Sequence, residues 1–161
     1  LFEGIRPTAF GPQNNMTRAM LVTVLYRLSG ENAASAAAPF ADVPKDAYYA
    51  DAVAWAYENE IVSGVSETRF SPDGEVTREQ ITAMLKNYAS WAEKNVSVKG
   101  DGASQEFSDF GSVSDYARDA VSWAFENGIV NGDGQGHFRP KDSASRAEVA
   151  SMMMNFMKKI L

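Results

Sequence analysis

Three arginines occupy matching places in the sequence and are the residues best suited to bind an anion. Arg18, Arg78 and Arg146 each follow a threonine or serine that predicts a helix N-cap, so each falls in the first helical turn. A cation is mildly unfavourable there, because the positive pole of the helix dipole lies at that end. The repetition indicates that each guanidinium has a partner. That partner is either an external anion, held by the guanidinium and free helix amides, or an internal carboxylate. The internal candidates are Asp42, Asp109, Glu79 and Glu148.

Two tyrosines at the predicted starts of helices offer surfaces for a sugar. Tyr48 and Tyr116 each lie beside a loop, where the ring face can cover an apolar sugar face and the hydroxyl can form a hydrogen bond. Trp55 and Trp123 fall within the helices that follow, and core packing is the simpler interpretation for them. The same interpretation applies to a set of repeated phenylalanines: Phe40, Phe70, Phe107 and Phe138.

No pattern typical of catalysis or metal binding occurs. The sequence has no Gly-x-Ser-x-Gly, no His-Glu-x-x-His and no Walker loop. It also has no cysteine and a single histidine, His137, which exclude a thiol nucleophile and any site built from several histidines. Residues 131–137 superficially suggest a calcium loop, but Gln135 and His137 break the ligand pattern, so a glycine turn is favoured. We therefore expect no catalytic residue, no metal and no cofactor.

Composition narrows the class of protein further. The 161 residues, of which 45% are hydrophobic, suffice for one globular domain. The net charge of −6 argues against a general nucleic-acid binder. No stretch approaches the roughly 18 apolar residues of a membrane span. Leu1 lacks a preceding methionine and no signal peptide opens the chain, so we expect a mature fragment or an excised piece of a longer protein.

An internal repeat must position the arginines. A Phe-x-Pro segment precedes each of them, at residues 10–12, 70–72 and 138–140. Upstream, a Phe-x-Asp segment followed by an Ala-Val-x-Trp-Ala helix occurs twice. The repeat predicts the second half of one unit at 1–30 and whole units at 40–92 and 107–161, together forming one domain. Within each whole unit we expect a helix, a loop and a second helix, with first helices at about 49–60 and 117–127.

The second helices carry matching caps and matching apolar stripes. Thr77 with Gln80, and Ser145 with Glu148, form capping boxes, whereas Thr17 lacks the returning side chain because Met20 stands in that place. Three equivalent amphipathic helices predict an all-α, pseudo-threefold bundle of helix-loop-helix repeats. The methionine run at residues 152–154 is expected to fill the core.

In their order and repetition these motifs resemble the S-layer homology repeat over nearly the whole chain. The resemblance implies a three-repeat helical domain that anchors exocellular proteins to the cell wall, mainly in Gram-positive bacteria. Its implied ligand is a secondary cell-wall polysaccharide, often bearing pyruvate ketals, and its implied location is extracellular, in the cell wall or S-layer. The site residues that it implies are the arginines Arg18, Arg78 and Arg146 and the aspartates Asp42 and Asp109. The family commonly has tryptophan where Tyr48 and Tyr116 stand.

Two expectations follow for the arrangement of the site. Under threefold packing Arg18 should face Asp42 and Tyr48, and Arg78 should face Asp109 and Tyr116. The first helix of repeat one is missing from this sequence, which should leave the helix around Leu21 and Leu25 uncovered and the groove around Arg146 incomplete. A separate fragment, a second chain or the C-terminal residues would then cover the gap. The alternative function is a helical module that docks another protein without binding carbohydrate.

Overall fold

The chain folds into a helical bundle, as expected. A computed structural model describes residues 11–30 and 34–161. Within them lie six α-helices: α1 (Arg18–Ser29), α2 (Ala50–Glu58), α3 (Arg78–Trp91), α4 (Gly102–Glu106), α5 (Arg118–Glu126) and α6 (Arg146–Lys159). Two short 3-10 helices, Phe110–Ser112 and Asp115–Ala117, precede α5. The described residues contain isolated backbone bridges but no β-strand.

The caps of the second helices form as the sequence predicts. Thr77 and Ser145 accept from the amides of Gln80 and Glu148, whose side chains accept from the N-cap amides in return. Thr17 accepts from the amide of Met20 without a return bond. Since each cap fixes where its helix begins, the three arginines are all placed at the first helical position.

A ring of backbone hydrogen bonds joins the three repeats at their centre. Met16 N–H donates to Ala144 O at 3.0 Å, Ala144 N–H donates to Val76 O at 3.1 Å, and Val76 N–H donates to Met16 O at 2.9 Å. All three side chains are at most 1% exposed. The described part of repeat one therefore closes the pseudo-threefold ring with the two complete repeats.

The first helix of each complete repeat packs against the second helix of the repeat before it. Trp55 of α2 lies 5.5 Å from Tyr26 of α1 between ring centroids, and α5 packs on α3. Trp55 and Trp123 are 3% and 0% exposed, which confirms their core role. The repeated phenylalanines at 40, 70, 107 and 138 are also buried.

The expected uncovered surface lies on a different helix from the one predicted. Leu21 and Leu25 of α1 are fully buried, because α2 packs against α1. Of the three second helices in the described chain, α6 is the one with exposed large apolar side chains: Met154 and Met157 are 52% and 40% exposed, and Leu161 after it is 45% exposed. The core assignment of the methionine run is thus right for Met152 and Met153 and wrong for Met154.

The polar linker at residues 93–106, between the two complete repeats, contains regular structure. It contains α4, which packs on α5 and fully buries Ala103. The carboxylate of Glu126 on α5 accepts from the amides of Lys99 and Gly100 at 2.9 and 2.7 Å. The linker is therefore attached to the repeat that follows it.

Candidate ligand-binding grooves

Each of two arginines shares one phenylalanine with an aspartate. Asp42 accepts from the amides of Phe70 and Ser71, both at 2.8 Å, while Arg18 Nε donates to Phe70 O at 2.8 Å. Arg18 also lies 4.6 Å from the centroid of the Phe70 ring and donates through Nη2 to Ser63 O at 2.9 Å. Asp42 and Arg18 thus bind the amide and the carbonyl of the same residue, from neighbouring repeats.

The second arginine has the corresponding contacts in the next repeat. Asp109 accepts from the amides of Phe138 and Arg139, both at 2.8 Å, and Arg78 Nε donates to Phe138 O at 2.7 Å. Arg78 Nη2 donates to Asn131 O at 3.4 Å. The expected closeness of each arginine to the aspartate of the next repeat is present, although backbone atoms of one shared residue lie between them.

The helix ends hold no free amides for an anion. The amides of Arg18 and Ala19 donate to carbonyls of Gly74 and Pro72, and the other two second helices repeat this arrangement. The third first-turn amide donates to the N-cap side chain. An anion site built on free helix amides is therefore excluded at these three ends. Both Arg18 and Arg78 donate to backbone carbonyl oxygens, and Arg78 also pairs with Glu148, one of the expected carboxylates.

Burial lowers the pKa of both guanidinium groups, but both remain protonated. Desolvation lowers the pKa of Arg18, and the nearby Tyr116 and Asp42 partly offset that effect. Desolvation likewise lowers the pKa of Arg78, with Glu148 as the largest opposing charge. Arginine stays protonated in proteins, so each groove described below holds a fixed positive charge.

Groove A is a cleft of about 420 Å³ between the first and second repeats, with one residue from the third. Its polar wall comes from Arg18, Gln80 and Asn87, and Tyr116 lies at its margin. Val65 and Met84 add apolar surface. Among the described residues no acceptor is hydrogen-bonded to Arg18 Nη1, and no carboxylate lines this groove. The cleft thus combines a cation, neutral polar groups and an aromatic ring.

Tyr116 reaches groove A because a buried carboxylate fixes the loop before it. Glu79 accepts from the amide and the hydroxyl of Ser114 at 2.9 and 2.8 Å, and from Lys141 Nζ at 2.8 Å. Desolvation raises the pKa of Glu79, but the hydrogen bonds from Lys141 and Ser114 outweigh it and the net pKa is lowered. Burial raises the pKa of Tyr116, so its hydroxyl remains a donor at neutral pH.

Groove B is the corresponding cleft, of about 410 Å³, between the second and third repeats. Its positions match those of groove A: Arg78 replaces Arg18, Glu148 replaces Gln80 and Asn155 replaces Asn87. No aromatic residue of the described chain lines it. Glu148 Oε1 lies 3.3 Å from Arg78 Nη1 and 3.8 Å from Arg139 Nη2. The guanidinium of groove B therefore already has an anionic partner.

The predicted pairing of tyrosines with arginines is wrong in its assignment. Tyr116 lines the groove of Arg18, rather than that of Arg78, because the start of α5 faces the arginine of the first repeat and not that of the second. Tyr48 lines neither groove; it is 67% exposed and contacts Tyr49 edge-on. Arg146 is 6% exposed at the start of α6. The third groove and the segment aligned with it, residues 1–4, lie outside the described residues.

The sequence interpretation missed the polar residues that complete the grooves. Asn87 and Asn155 donate to the carbonyls of Ile61 and Ile129 at 3.1 and 3.3 Å, from the same place in α3 and α6. Their recurrence at matched positions in the repeat was the available signal. Glu79, expected as a partner of an arginine, instead accepts from Ser114 and Lys141. Its role in holding the loop before Tyr116 had no sequence signal, since alanine stands at the aligned position in the other two repeats.

Across residues 11–30 and 34–161, no helix combines the length and apolar composition that crossing a bilayer requires. The grooves are surface features of a helical domain.

Comparison with known proteins identifies the repeats. A family model described as the S-layer homology domain matches residues 39–82 and 106–150. The chain is 32% identical to an endoglucanase of a Bacillus species and 33% identical to an amylopullulanase of Thermoanaerobacterium thermosulfurigenes, in each case over 99% of its length. It is 30% identical over 88% of its length to the surface-layer 125 kDa protein of Lysinibacillus sphaericus. The matches cover 17%, 8% and 12% of these relatives, so the chain spans less than a fifth of each.

Proposed function

Because the chain belongs to the S-layer homology family, whose domains are non-catalytic modules that anchor proteins at the cell surface, we propose that it binds a secondary cell-wall polysaccharide through its inter-repeat grooves. Groove A receives an acidic sugar, such as one bearing a pyruvate ketal. The module thereby tethers an exocellular protein to the wall or S-layer outside the cell. The relatives named as glycan-degrading enzymes contain the matched segment as a small part, so the tethered protein is a separate region in them.

The composition of groove A carries this proposal. A sugar ring needs polar partners around its rim and an apolar or aromatic surface against its face. Gln80 supplies a side-chain amide in the cleft, and Tyr116 supplies a ring that is accessible because the residue is 61% exposed. The Nη1 group of Arg18, which has no acceptor among the described residues, suits a carboxylate.

The seven residues predicted to bind ligand have different roles under this proposal. Arg18 and Tyr116 contact ligand in groove A, and Arg78 lines the corresponding groove B. Asp42 and Asp109 hold the Phe-x-Pro turns to which the arginines bind, and so act by positioning. Tyr48 and Arg146 remain predicted ligand contacts, and Arg146 belongs to the third groove.

A second candidate function, docking of another protein segment, is favoured by the apolar surface of α6. The helices α1 and α3 are covered by α2 and α5, whereas Met154 and Met157 of α6 are about half exposed. The threefold arrangement points to one occupant, a helix of the α2 type supplied by another segment or a second chain. A pure docking module would use this surface and leave groove A without ligand.

Sedimentation with purified cell walls separates the two functions. The chain should co-sediment with intact walls and stay in solution when the secondary polymer has been extracted. Tyr116→Ala should weaken wall binding about tenfold, equivalent to about 1.4 kcal/mol. Val98→Ala is the control, because this exposed side chain lines neither groove A nor groove B, and it should leave wall binding unchanged. Equal binding to intact and extracted walls would contradict the proposal.

A further inference from the structure

Grooves A and B share most of their positions and differ in charge at one shared position; in addition, Arg139 lines only groove B and Tyr116 lines only groove A. The third residue of α3 is Gln80, and the third residue of α6 is Glu148. Both side chains line their groove next to an arginine from the preceding repeat. The remaining shared positions differ little, as Met84 and Asn87 of groove A correspond to Met152 and Asn155 of groove B.

The difference changes which guanidinium atoms are occupied. Arg18 and Arg78 both use Nε and Nη2 to donate to backbone carbonyls of the next repeat. Nη1 of Arg78 additionally donates to Glu148 Oε1 at 3.3 Å. Nη1 of Arg18 has no such acceptor among the described residues, although the arginine itself is only 6% exposed. The same atom is thus paired in groove B and open in groove A.

The surroundings of groove B reinforce the pairing. Glu148 Oε1 also lies 3.8 Å from Arg139, and Arg139 lies 3.5 Å from Asp142. Two guanidinium groups therefore share two carboxylates. A ligand carboxylate that approaches Arg78 must displace Glu148 or lie beside it, and like charges in contact disfavour binding.

We infer that the two grooves discriminate by charge: groove A accepts a carboxylate-bearing sugar, and Glu148 closes groove B to it. The inference rests on the proposed function and adds a stoichiometry, one acidic sugar for the pair of grooves. It also names the determinant in this chain, the residue three positions after the N-cap, which is Gln80 in groove A and Glu148 in groove B.

The capping geometry makes this determinant testable without disturbing the helix. Gln80 Oε1 accepts from the amide of Thr77 at 3.1 Å, and Glu148 Oε2 accepts from the amide of Ser145 at 2.8 Å. Glutamine and glutamate both complete a capping box. Exchanging one for the other therefore changes the groove charge while the cap is retained, and urea unfolding of each variant checks that the fold persists.

The experiment follows the arginine Nε–H signals by NMR during titration with a methyl glycoside that carries a pyruvate ketal. The methyl ester of the same glycoside, which has no charge, is the control ligand. In the unmodified chain the signal of Arg18 should shift and that of Arg78 should not. Glu148→Gln should add a saturable shift at Arg78. Gln80→Glu should weaken the binding seen at Arg18 by about 10- to 100-fold, the range of a charge-assisted hydrogen bond.

The possible failures are distinguishable. Equal shifts at both arginines in the unmodified chain, or no gain at Arg78 in Glu148→Gln, would overturn the inference and leave the proposed function standing. No shift at either arginine in any of the three proteins would overturn the proposed function and the inference with it.

Discussion

Removing the carboxylate of Glu79 should destabilise the domain more than removing its cationic partner. Its side chain is 4% exposed and accepts three hydrogen bonds, two from Ser114 and one from Lys141. Hydrogen bonds to a charged group contribute about 1.5–3 kcal/mol each when buried. In Glu79→Ala the Lys141 ammonium can be rehydrated, because that side chain is 57% exposed. The two donors of Ser114 then dominate, and the expected loss is about 3 kcal/mol.

The partner variant supplies the comparison. Lys141→Ala leaves both Ser114 donors on the carboxylate, so it should cost about 1 kcal/mol, at the upper end for a pair with an exposed member. Alanine itself is tolerated at the position of Glu79, since Ala19 and Ala147 stand there in the other repeats. The loss in Glu79→Ala would therefore come from the missing carboxylate rather than from an unsuitable backbone.

Urea unfolding followed by tryptophan fluorescence measures both losses, with the denaturant slope as the check on two-state behaviour. Because Glu79 fixes the loop before Tyr116 without lining groove A, Glu79→Ala should also weaken binding of the pyruvylated glycoside in the fraction that remains folded. Equal destabilisation by the two variants, or a loss below about 1 kcal/mol for Glu79→Ala, would refute the reasoning.

Three further outcomes are expected. Gly64→Ala should lower the free energy of unfolding by about 3 kcal/mol, because a Cβ there would lie 2.3 Å from Ser66 O and 2.6 Å from Arg69 O. Gly111→Ala is the control: a Cβ there would have nothing within 4 Å, so the free energy of unfolding should be nearly unchanged in the same urea titration. Asp42→Asn should lower the unfolding midpoint, because one side-chain oxygen cannot replace the two that accept from Phe70 and Ser71. Burial of Asp42 opposes its ionisation, but the hydrogen bonds from those amides outweigh it and lower the pKa of Asp42 in the folded state. The ionised carboxylate therefore stabilises the fold fully above the unfolded-state pKa of about 3.9, and this stabilisation is lost as the pH falls through the lower folded-state pKa. Acid titration of the unfolding midpoint should accordingly be steeper below about pH 4 for the unmodified chain than for Asp42→Asn.

The features that the sequence predicts are those that depend on local chemistry repeated three times. Caps at Thr17, Thr77 and Ser145 begin the second helices as expected. Local hydrogen-bonding rules suffice for the caps, because their donor and acceptor are three residues apart.

The features that it misses depend on how the repeats are arranged in space. A repeat alignment shows that Tyr48 and Tyr116 are equivalent, but not which arginine each one faces, and the assignment of Tyr116 was wrong for that reason. The carbonyl partners of the arginines were missed because backbone carbonyls carry no sequence signature, whereas Glu148, the partner of Arg78, was among the candidate carboxylates. The helix α4 was missed because its five residues form one turn that is stabilised by packing on α5 rather than by propensity.

The central claim, that groove A binds an acidic sugar of the wall polymer, is tested most directly with the polymer itself. Purified secondary cell-wall polysaccharide, before and after removal of its acidic substituents, is titrated into isotopically labelled chain while Arg18 Nε–H and the amide of Tyr116 are followed by NMR. We predict saturable shifts at both groups with the native polymer and their loss with the stripped polymer. Shifts confined to α6 around Met154 and Met157, with Arg18 unchanged, would contradict the account.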